Sequence, residues 1–498
     1  MSGASDGSGA ASARRPNIVL ILTDDHAAHA IGAYGSVVNT TPRIDEIAAR
    51  GVRFDRCYVT NSLCTPSRAS ILTGTYSHVN GVTTLSTPMD ASLPTFVSRL
   101  RESGYRTAVV GKWHLGHGEG HDPQGFDYWD VLIDQGEYHD PTFRSPSGTR
   151  TESGYATDVI TDLALRWAGS LDGDAPWCLL INHKAPHRPW EPDAKHADLY
   201  TDPVPVPGTF TDDLAGRSSS ARRAAMRIAD DLTAEDLKTD PPEGLAADEL
   251  ALWKYQRYME DYLRCVASVD DNVGRVTDWL AARGRLDDTL LMYSSDQGFF
   301  LGDHGWFDKR LMYEESIRMP LVLSYPARVP GGRTHDGIVT NVDFARTILD
   351  AAGVDAHPDM QGRSFWGDLV ATPAGPRPPA PGLYYRYWEH DDANHRAPAH
   401  YGYRDDRYKL IYYYNDGLGL PGTGHRTYPG EWELYDLRTD PDEVRNVAHD
   451  PAYADVRARL EVALWEAQAA VGDRPHPGQP LPAGLGAGPT APPGEPEP

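Results

Sequence analysis

The sequence predicts an α/β protein: a large central mixed, mostly parallel sheet sandwiched by helices, with a smaller C-terminal α+β subdomain carrying an antiparallel sheet. Three observations carry this expectation. Short unbroken apolar runs, of which Asn17-Ile-Val-Leu-Ile-Leu-Thr23 is the first, read as strands buried on both faces. Such runs alternate with helix-length segments from residue 17 to residue 352, the rhythm of strand–helix–strand units. Beyond the proline-rich run 372–381 the rhythm changes to aromatic, strand-like segments closed by one amphipathic helix.

The elements follow in order. Strand 17–23 is succeeded by a helix over 42–50 and a strand over 52–59. Thr65 is placed to cap a helix, Pro66 suits its first position because the missing N–H costs nothing there, and Gly74 stops it after Ser67 to Leu72. A helix over 93–102, a strand over 106–111, a helix over 157–168 and a strand over 177–182 come next. Residues 250–283 form a long helical zone, 289–294 and 320–325 are strands, and the helix 344–352 ends at Gly353. The C-terminal part offers strands over 382–388, 401–414 and 431–437 and a helix over 453–471. Residues 203–248, rich in Asp, Pro, Arg and Ser with weak periodicity, read as a surface excursion or lid. The expected division is a disordered segment 1–15, a main domain 16–371, a subdomain 372–471 and a disordered tail 472–498.

The 498 residues supply ample chain for a large core. A formal net charge of −24 argues against nucleic acid as a partner, so positive field for an anionic substrate must be local. No apolar run is long enough to span a bilayer. The first sixteen residues are small and polar, with no signal-like apolar region, and the four cysteines show no paired spacing. Both features lead to the expectation of a cytoplasmic protein in a reducing compartment. The sequence sets no oligomeric state.

Chemistry-bearing residues collect at the ends of predicted strands, where sites form in open α/β sheets. Asp24-Asp25 follows the first strand and Asp296-Gln297 follows another; two acids with an acid–amide pair make an oxygen cage suited to Ca²⁺ or Mg²⁺. Taken alone, adjacent acids after a strand are as readily a helix cap or a solvated turn. Cys64 sits beside the helix start that Thr65 and Pro66 mark, facing unpaired N–H groups and a positive dipole end, with Arg68 one turn on. Gly111-Lys-Trp-His114-Leu-Gly116 places Lys112 and His114 on alternate positions after a strand. Lysine suits sulfate or phosphate oxygens and histidine moves protons near neutrality, although a surface loop with an incidental histidine reads the same way. Asn182-His-Lys-Ala-Pro-His187-Arg-Pro-Trp190 ends another strand and offers His187, with His183 and Lys184 as lesser candidates. Asp303-His304-Gly-Trp306-Phe-Asp-Lys309 offers Lys309, with His304 and Trp306 as groups that either contact substrate or serve structure.

These motifs recur in one order: D-D, C-x-P-S-R, G-K-W-H, P-H-x-P, S-D-x-G and a downstream lysine. Together with Thr41-Pro-Arg-Ile-Asp45 and Leu434-Tyr-Asp-Leu-Arg-Thr-Asp-Pro441, they resemble the type I, formylglycine-dependent sulfatases of the alkaline-phosphatase-like superfamily, over roughly residues 16–470. The resemblance implies that a maturation enzyme oxidises Cys64 to formylglycine, whose hydrate is the nucleophile. It implies metal ligation by Asp24, Asp25, modified Cys64, Asp296 and Gln297, the last standing where asparagine is more usual. Ca²⁺ is the expected ion, with Mg²⁺ as the alternative. Lys112, Lys309 and Arg68 would neutralise the sulfuryl oxygens, Asp296 and His114 would move hydroxyl protons, and His187 would protonate the leaving alcohol; Lys112, His187, His304 and Lys309 would contact substrate. A thiol hydrolase would instead need a general base beside Cys64 and no metal. The run Asp134-Gln-Gly-Glu-Tyr-His-Asp-Pro141, with the segment around His187, looks like sulfatases acting on N-acetylglucosamine 6-sulfate. Tyr128, Trp129, Tyr138 and His139 would then lie near the mouth and suit a sugar ring. A small sulfated saccharide is the expected substrate. The rival readings are a phosphonate monoester or phosphodiester hydrolase of the same superfamily, and a non-catalytic metal-binding protein if Cys64 stays a thiol.

Overall fold

A computed structural model describes residues 15–371, 382–480 and 482. Segment 1–14, the proline-rich run 372–381 and most of the tail expected from 472 onward lie outside the described residues. The main sheet has ten strands, which in spatial order start at Arg333, Val52, Leu321, Thr289, Asn17, Trp177, Arg106, Tyr128, Thr142 and Gly148. Its centre is parallel: Asn17–Thr23 lies between Thr289–Ser295 and Trp177–Asn182, and the latter pairs Arg106–Lys112. Leu321–Ser324 runs antiparallel to both its neighbours, and at one end of the sheet the last two strands, from Thr142 and Gly148, are joined by antiparallel pairing.

Strand Asn17–Thr23 is buried along its whole length. Because strand side chains alternate, Ile18, Leu20 and Leu22 enter one apolar layer while Val19 and Ile21 enter the other. The first layer includes Ala69, Ile71 and Leu72 of helix Cys64–Thr73 together with Phe96 and Phe344. The second is covered by Pro42–Arg50, Ala156–Gly169 and the 36-residue helix Ala247–Ala282. Two buried layers explain why these strands read as continuous apolar runs.

The C-terminal sheet orders its strands as Leu383–Tyr387, His400–Arg404, Tyr408–Tyr413 and Glu431–Asp436, all antiparallel, with helix Ala454–Val471 packed on it through Leu460 and Leu464. Several expectations need correction. The single strand over 52–59 is two short ones, Val52–Phe54 and Cys57–Tyr58, and the span 401–414 is a hairpin turning after Arg404. The helix expected from residue 93 begins at Phe96, where Thr95 and Ser98 form a reciprocal cap. Helix Cys64–Thr73 starts at the cysteine itself, with Leu63 before it, so Thr65 is not a cap; Gly74, at φ 65°, ends it as expected. The excursion 203–248 is partly core, since Met226 joins one apolar layer and Ile228, Leu232 and Leu237 the other. Residues 472–480 are ordered against the C-terminal sheet: Asp473 pairs with Arg386 at 2.8 Å and the His476 ring stacks on Tyr414.

Among the described residues no helix is long and apolar enough to cross a membrane, and the four cysteines are unpaired and buried.

Candidate active site

Four adjacent parallel strands end on one side of the sheet, and each delivers part of the site. Thr23 leads to Asp24 and Asp25, Ser295 to Asp296 and Gln297, Arg106–Lys112 ends on Lys112, and Asn182 leads to Lys184 and His187. Main-chain bonds lock these ends together: Asp296 N–H donates to Thr23 at 3.1 Å and His183 N–H to Leu22 at 2.8 Å. Gly111 allows Arg106–Lys112 to lie close to its neighbour, since a Cβ there would stand 2.0 Å from the Asn182 carbonyl oxygen. Helix Cys64–Thr73 points its N-terminus at the same spot.

Carboxylate oxygens of Asp24, Asp25 and Asp296 lie within 4.8 Å of one another, all buried. Arg68 links two of them, with Nε 3.0 Å from Asp296 Oδ2 and Nη2 3.4 Å from Asp24 Oδ2, and donates to the Lys112 carbonyl at 3.1 Å. Its donors are thus taken up by protein, which makes it a positioning residue. Lys112 pairs with Asp24 and donates to Gln135. Lys309 donates to both oxygens of Asp25 at 2.7 Å. Cys64 Sγ lies 3.3 Å from Asp24 Oδ1.

Burial alone would raise the Asp24 pKa, but Lys112, His187, Arg68 and Lys309 hold it well below the usual carboxylate range. Burial outweighs the cations at the other two, pushing Asp25 up to about 6 and Asp296 up to about 7, with neighbouring carboxylates adding to the rise. The Cys64 thiol is pushed up by burial and then by Asp24, so it is not a thiolate near neutrality.

The donor set fits a hard divalent cation. Three carboxylates converge without solvent, and the buried carbonyl oxygen of Gln297 has no hydrogen-bond partner. Gln297 turns its amide nitrogen to the cage, donating to Asp25 Oδ1 at 2.5 Å, so its oxygen would meet a cation there only with the amide turned over; a cation would lower the repulsion among the acids.

His187 donates from Nδ1 to the Arg188 carbonyl at 2.6 Å, leaving Nε2 facing Asp25 Oδ2 at 3.8 Å. Tyr138 O–H donates to the His187 carbonyl at 2.6 Å and so fixes the segment from below. His114 approaches Thr65 Oγ1 through Nδ1 at 3.4 Å. Burial and the nearby Lys112 hold both histidines well below their ordinary pKa. Asp25, His114, Asp308 and Arg310 all have positive φ, between 54° and 91°, a cluster of strained backbone around one site.

Cys64 forms part of the wall of a cavity of about 660 Å³, shared with Lys184, His187 and Lys309. Sequence reasoning missed several further lining groups: Gln135, Arg188, Asp308, Arg310 and His395. Asp308 and Arg310 flank Lys309, so their neighbour was the available signal. His395 comes from the C-terminal subdomain with no motif around it; its Nε2 lies 3.3 Å from Asp308 and its Nδ1 3.0 Å from Asp392. Arg310 donates to Tyr387 at 3.1 Å and Glu389 at 3.2 Å, tying the subdomain to the cavity.

Other expected contacts are not made. His304 is fully buried away from the cavity, 3.4 Å from Asp212 and 3.8 Å from Glu315, with Arg217 beside it. Its assignment to substrate is therefore corrected to a structural ion cluster, and Trp306 is equally enclosed. Tyr128 and Trp129 sit at the start of their strand, level with Ala108 and Val109 and not with Lys112, so they are remote from the strand ends; Tyr128 stacks on Trp167. His139 packs on Tyr155, and Tyr138 supports the site from beneath.

Comparison with known proteins agrees with this architecture. The family model described as sulfatase matches residues 16–354, and one for the C-terminal part of N-sulphoglucosamine sulphohydrolase matches residues 302–470. The N-acetylglucosamine-6-O-sulfatase of Bacteroides thetaiotaomicron is 40% identical, over 91% of this chain and 86% of that protein. The solved structure of BT4656 in complex with its substrate D-glucosamine-2-N,6-O-disulfate superposes with a TM-score of 0.83 at 40% identity, covering 92% of this chain and 98% of that one. The fold alone is shared with the phosphonate monoester hydrolase of Agrobacterium radiobacter, at 23% identity and a TM-score of 0.70 over 92% and 96% of the two chains. The chain belongs to the sulfatase family of sulfuric ester hydrolases.

Proposed function

We propose that this sulfatase removes a 6-sulfate from a small glucosamine-type saccharide, using formylglycine made from Cys64. The observation that carries the reading is the setting of Cys64. It is a buried thiol with a raised pKa beside Asp24, in the wall of a cavity shared with His187 and Lys309; His187 lies within 4.8 Å of it, but its own pKa is held low, so the two stay thiol and neutral imidazole. As a thiol it has little to do there; as an aldehyde hydrate it would offer a hydroxyl as nucleophile toward sulfur.

The chain's own groups then divide the work. Asp296, a carboxylate close enough to Cys64 to act on it electrostatically, can accept a proton from that hydroxyl. Lys112 and Lys309, both buried, supply fixed positive charge for sulfuryl oxygens. His187, held through Nδ1, presents Nε2 to the leaving oxygen, and the negative charge of a bound sulfate ester favours its protonation. His114, held near the start of the Cys64 helix by Thr65, is the candidate for the second hydroxyl proton. Asp24, Asp25, Asp296 and Gln297 would hold the cation, Ca²⁺ from the all-oxygen donor set, which supplies further charge on the sulfate.

Asp308, Arg310 and His395 form a polar, mutually bonded wall beside Lys309, suited to sugar hydroxyls. The substrates named for the two relatives at 40% identity support a glucosamine sulfate. The test is sulfate release from N-acetylglucosamine 6-sulfate, with mass spectrometry of the Cys64 peptide. The reading expects turnover and an aldehyde at residue 64. An unmodified thiol in active protein, or a higher kcat/KM for a phosphonate monoester than for any sulfate ester, overturns it.

A further inference from the structure

Three ammonium groups stand around the catalytic cavity, and only two are matched. Lys112 pairs with Asp24, and Lys309 with Asp25. Lys184 also lines the cavity and is only 2% exposed, yet it is in no ion pair among the described residues. Its ammonium has the Arg188 carbonyl at 3.5 Å, the outer limit of a hydrogen bond, and the face of Tyr138 at 4.8 Å. An ammonium taken out of water without a counter-charge costs several kcal/mol, and a ring face and one long bond offset only part of that.

The backbone holds this cation in place. His187 N–H donates to the Lys184 carbonyl at 3.0 Å, closing a tight turn, and His183 N–H ties the turn to the central strand. Tyr138 serves both ends, with its hydroxyl on the His187 carbonyl and its ring under the Lys184 ammonium. Lys184 therefore stands near His187 on the cavity wall, within electrostatic reach of Lys112 and Asp24 but paired with neither. Burial and then Lys112 push its pKa down to about 8, against the smaller opposing effects of Asp24 and Glu191, neither of which pairs with it. The mouth has a different character, lined by Asp231 and Glu235, which disfavour a long polyanion.

From this geometry we infer that Lys184 is a specificity residue that holds a second anionic substituent on the sugar whose sulfate ester is cleaved. The substrate class is a small, doubly anionic saccharide. A fixed, buried cation three residues before the turn's proline-bounded histidine gains most from an anion and less from a hydroxyl, because an anion best replaces the lost hydration.

The inference rests on the sulfated-sugar reading above, and the experiment separates the two. Sulfate release is measured for wild type on D-glucosamine-2-N,6-O-disulfate and on D-glucosamine 6-sulfate. Wild type is expected to show the lower KM for the disulfate. In Lys184→Met the ratio of kcat/KM for disulfate over monosulfate falls about tenfold or more, the weight of one charge-assisted hydrogen bond, mainly through KM, and Lys184→Arg recovers part of it. A ratio unchanged in Lys184→Met, or equal KM values in wild type, overturns the inference while leaving the sulfatase reading intact. Wild-type turnover of neither sugar overturns both. The wild-type comparison needs no variant, so the test stands even if Lys184→Met folds poorly.

Discussion

Arg68 and Asp296 form a fully enclosed ion pair, Nη2 to Oδ2 at 2.9 Å, that joins the first turn of the Cys64 helix to the end of a central strand. The same guanidinium reaches Asp24 at 3.4 Å, so one side chain spaces two of the three clustered carboxylates.

Removing it should be costly. Arg68→Ala leaves Asp24 and Asp296 buried with less counter-charge, and breaking a buried pair from one side costs about 3–5 kcal/mol. Chemical denaturation should show a loss of that size. A change below about 1 kcal/mol would mean that the carboxylates are held chiefly by Lys112 and Lys309.

His304 gives a prediction about pH. Burial alone would lower its pKa, but hydrogen bonds to Asp212 and Glu315 outweigh this and carry it up to about 9, above the ordinary 6.5. A base whose pKa is raised on folding adds stability that is complete below its unfolded pKa and is lost as pH rises through the folded value. The shift corresponds to about 3 kcal/mol. His304→Gln should therefore lower Tm clearly at pH 6 and much less above pH 9. Because His304 lies away from the cavity, kcat/KM of the folded variant should change little; a large loss of activity at unchanged stability would return His304 to the substrate.

The contrast between His187 and His304 shows what the sequence could tell. Local patterns were enough for strands whose two faces are both buried and for motifs at strand ends, because there the chemistry is contiguous in sequence: Asp24-Asp25, Cys64 to Arg68, Lys112 and His187 all converge. Whether a given histidine faces the cavity is decided by distant partners. Asp212, which pairs with His304, belongs to a segment whose weak periodicity read as surface. The missed cavity residue His395 is placed by the subdomain's docking through Arg310, Tyr387 and Glu389, contacts that no local pattern carries. Aromatic residues misled for the same reason: Tyr128 and Trp129 are near Lys112 in the sheet but at the wrong end of their strand.

His187 should matter in proportion to the leaving group. If Nε2 protonates the departing oxygen, His187→Ala loses about 10²–10⁴-fold in kcat on an alkyl sulfate, where the alkoxide needs the proton. On an aryl sulfate with an acidic phenol the loss should be much smaller. Equal losses on both would assign His187 to binding the sulfate group instead.

The cation is the remaining test. Three buried carboxylates, two of them pushed toward neutrality, with the Gln297 amide against Asp25, describe a pocket that is poorer without an ion than with one. A ligand that binds only the folded state adds about 2.7 kcal/mol at a hundred times its dissociation constant. Exhaustive chelation should therefore lower Tm, and Ca²⁺ should restore it. The increment should shrink in Gln297→Leu, which removes the neutral oxygen, and shrink further in Asp25→Asn, which removes a charge from the set. Asp25→Asn also frees Lys309, so its stability in chelator is the proper baseline for its own response. If Gln297→Leu responded to Ca²⁺ as strongly as wild type, the glutamine would lie outside the donor set, and its unpaired oxygen would need another explanation. If wild type itself showed no response after full chelation, Lys112 and Lys309 would be the counter-charges of the cluster, and the positive charge on the bound sulfate would come from lysine alone.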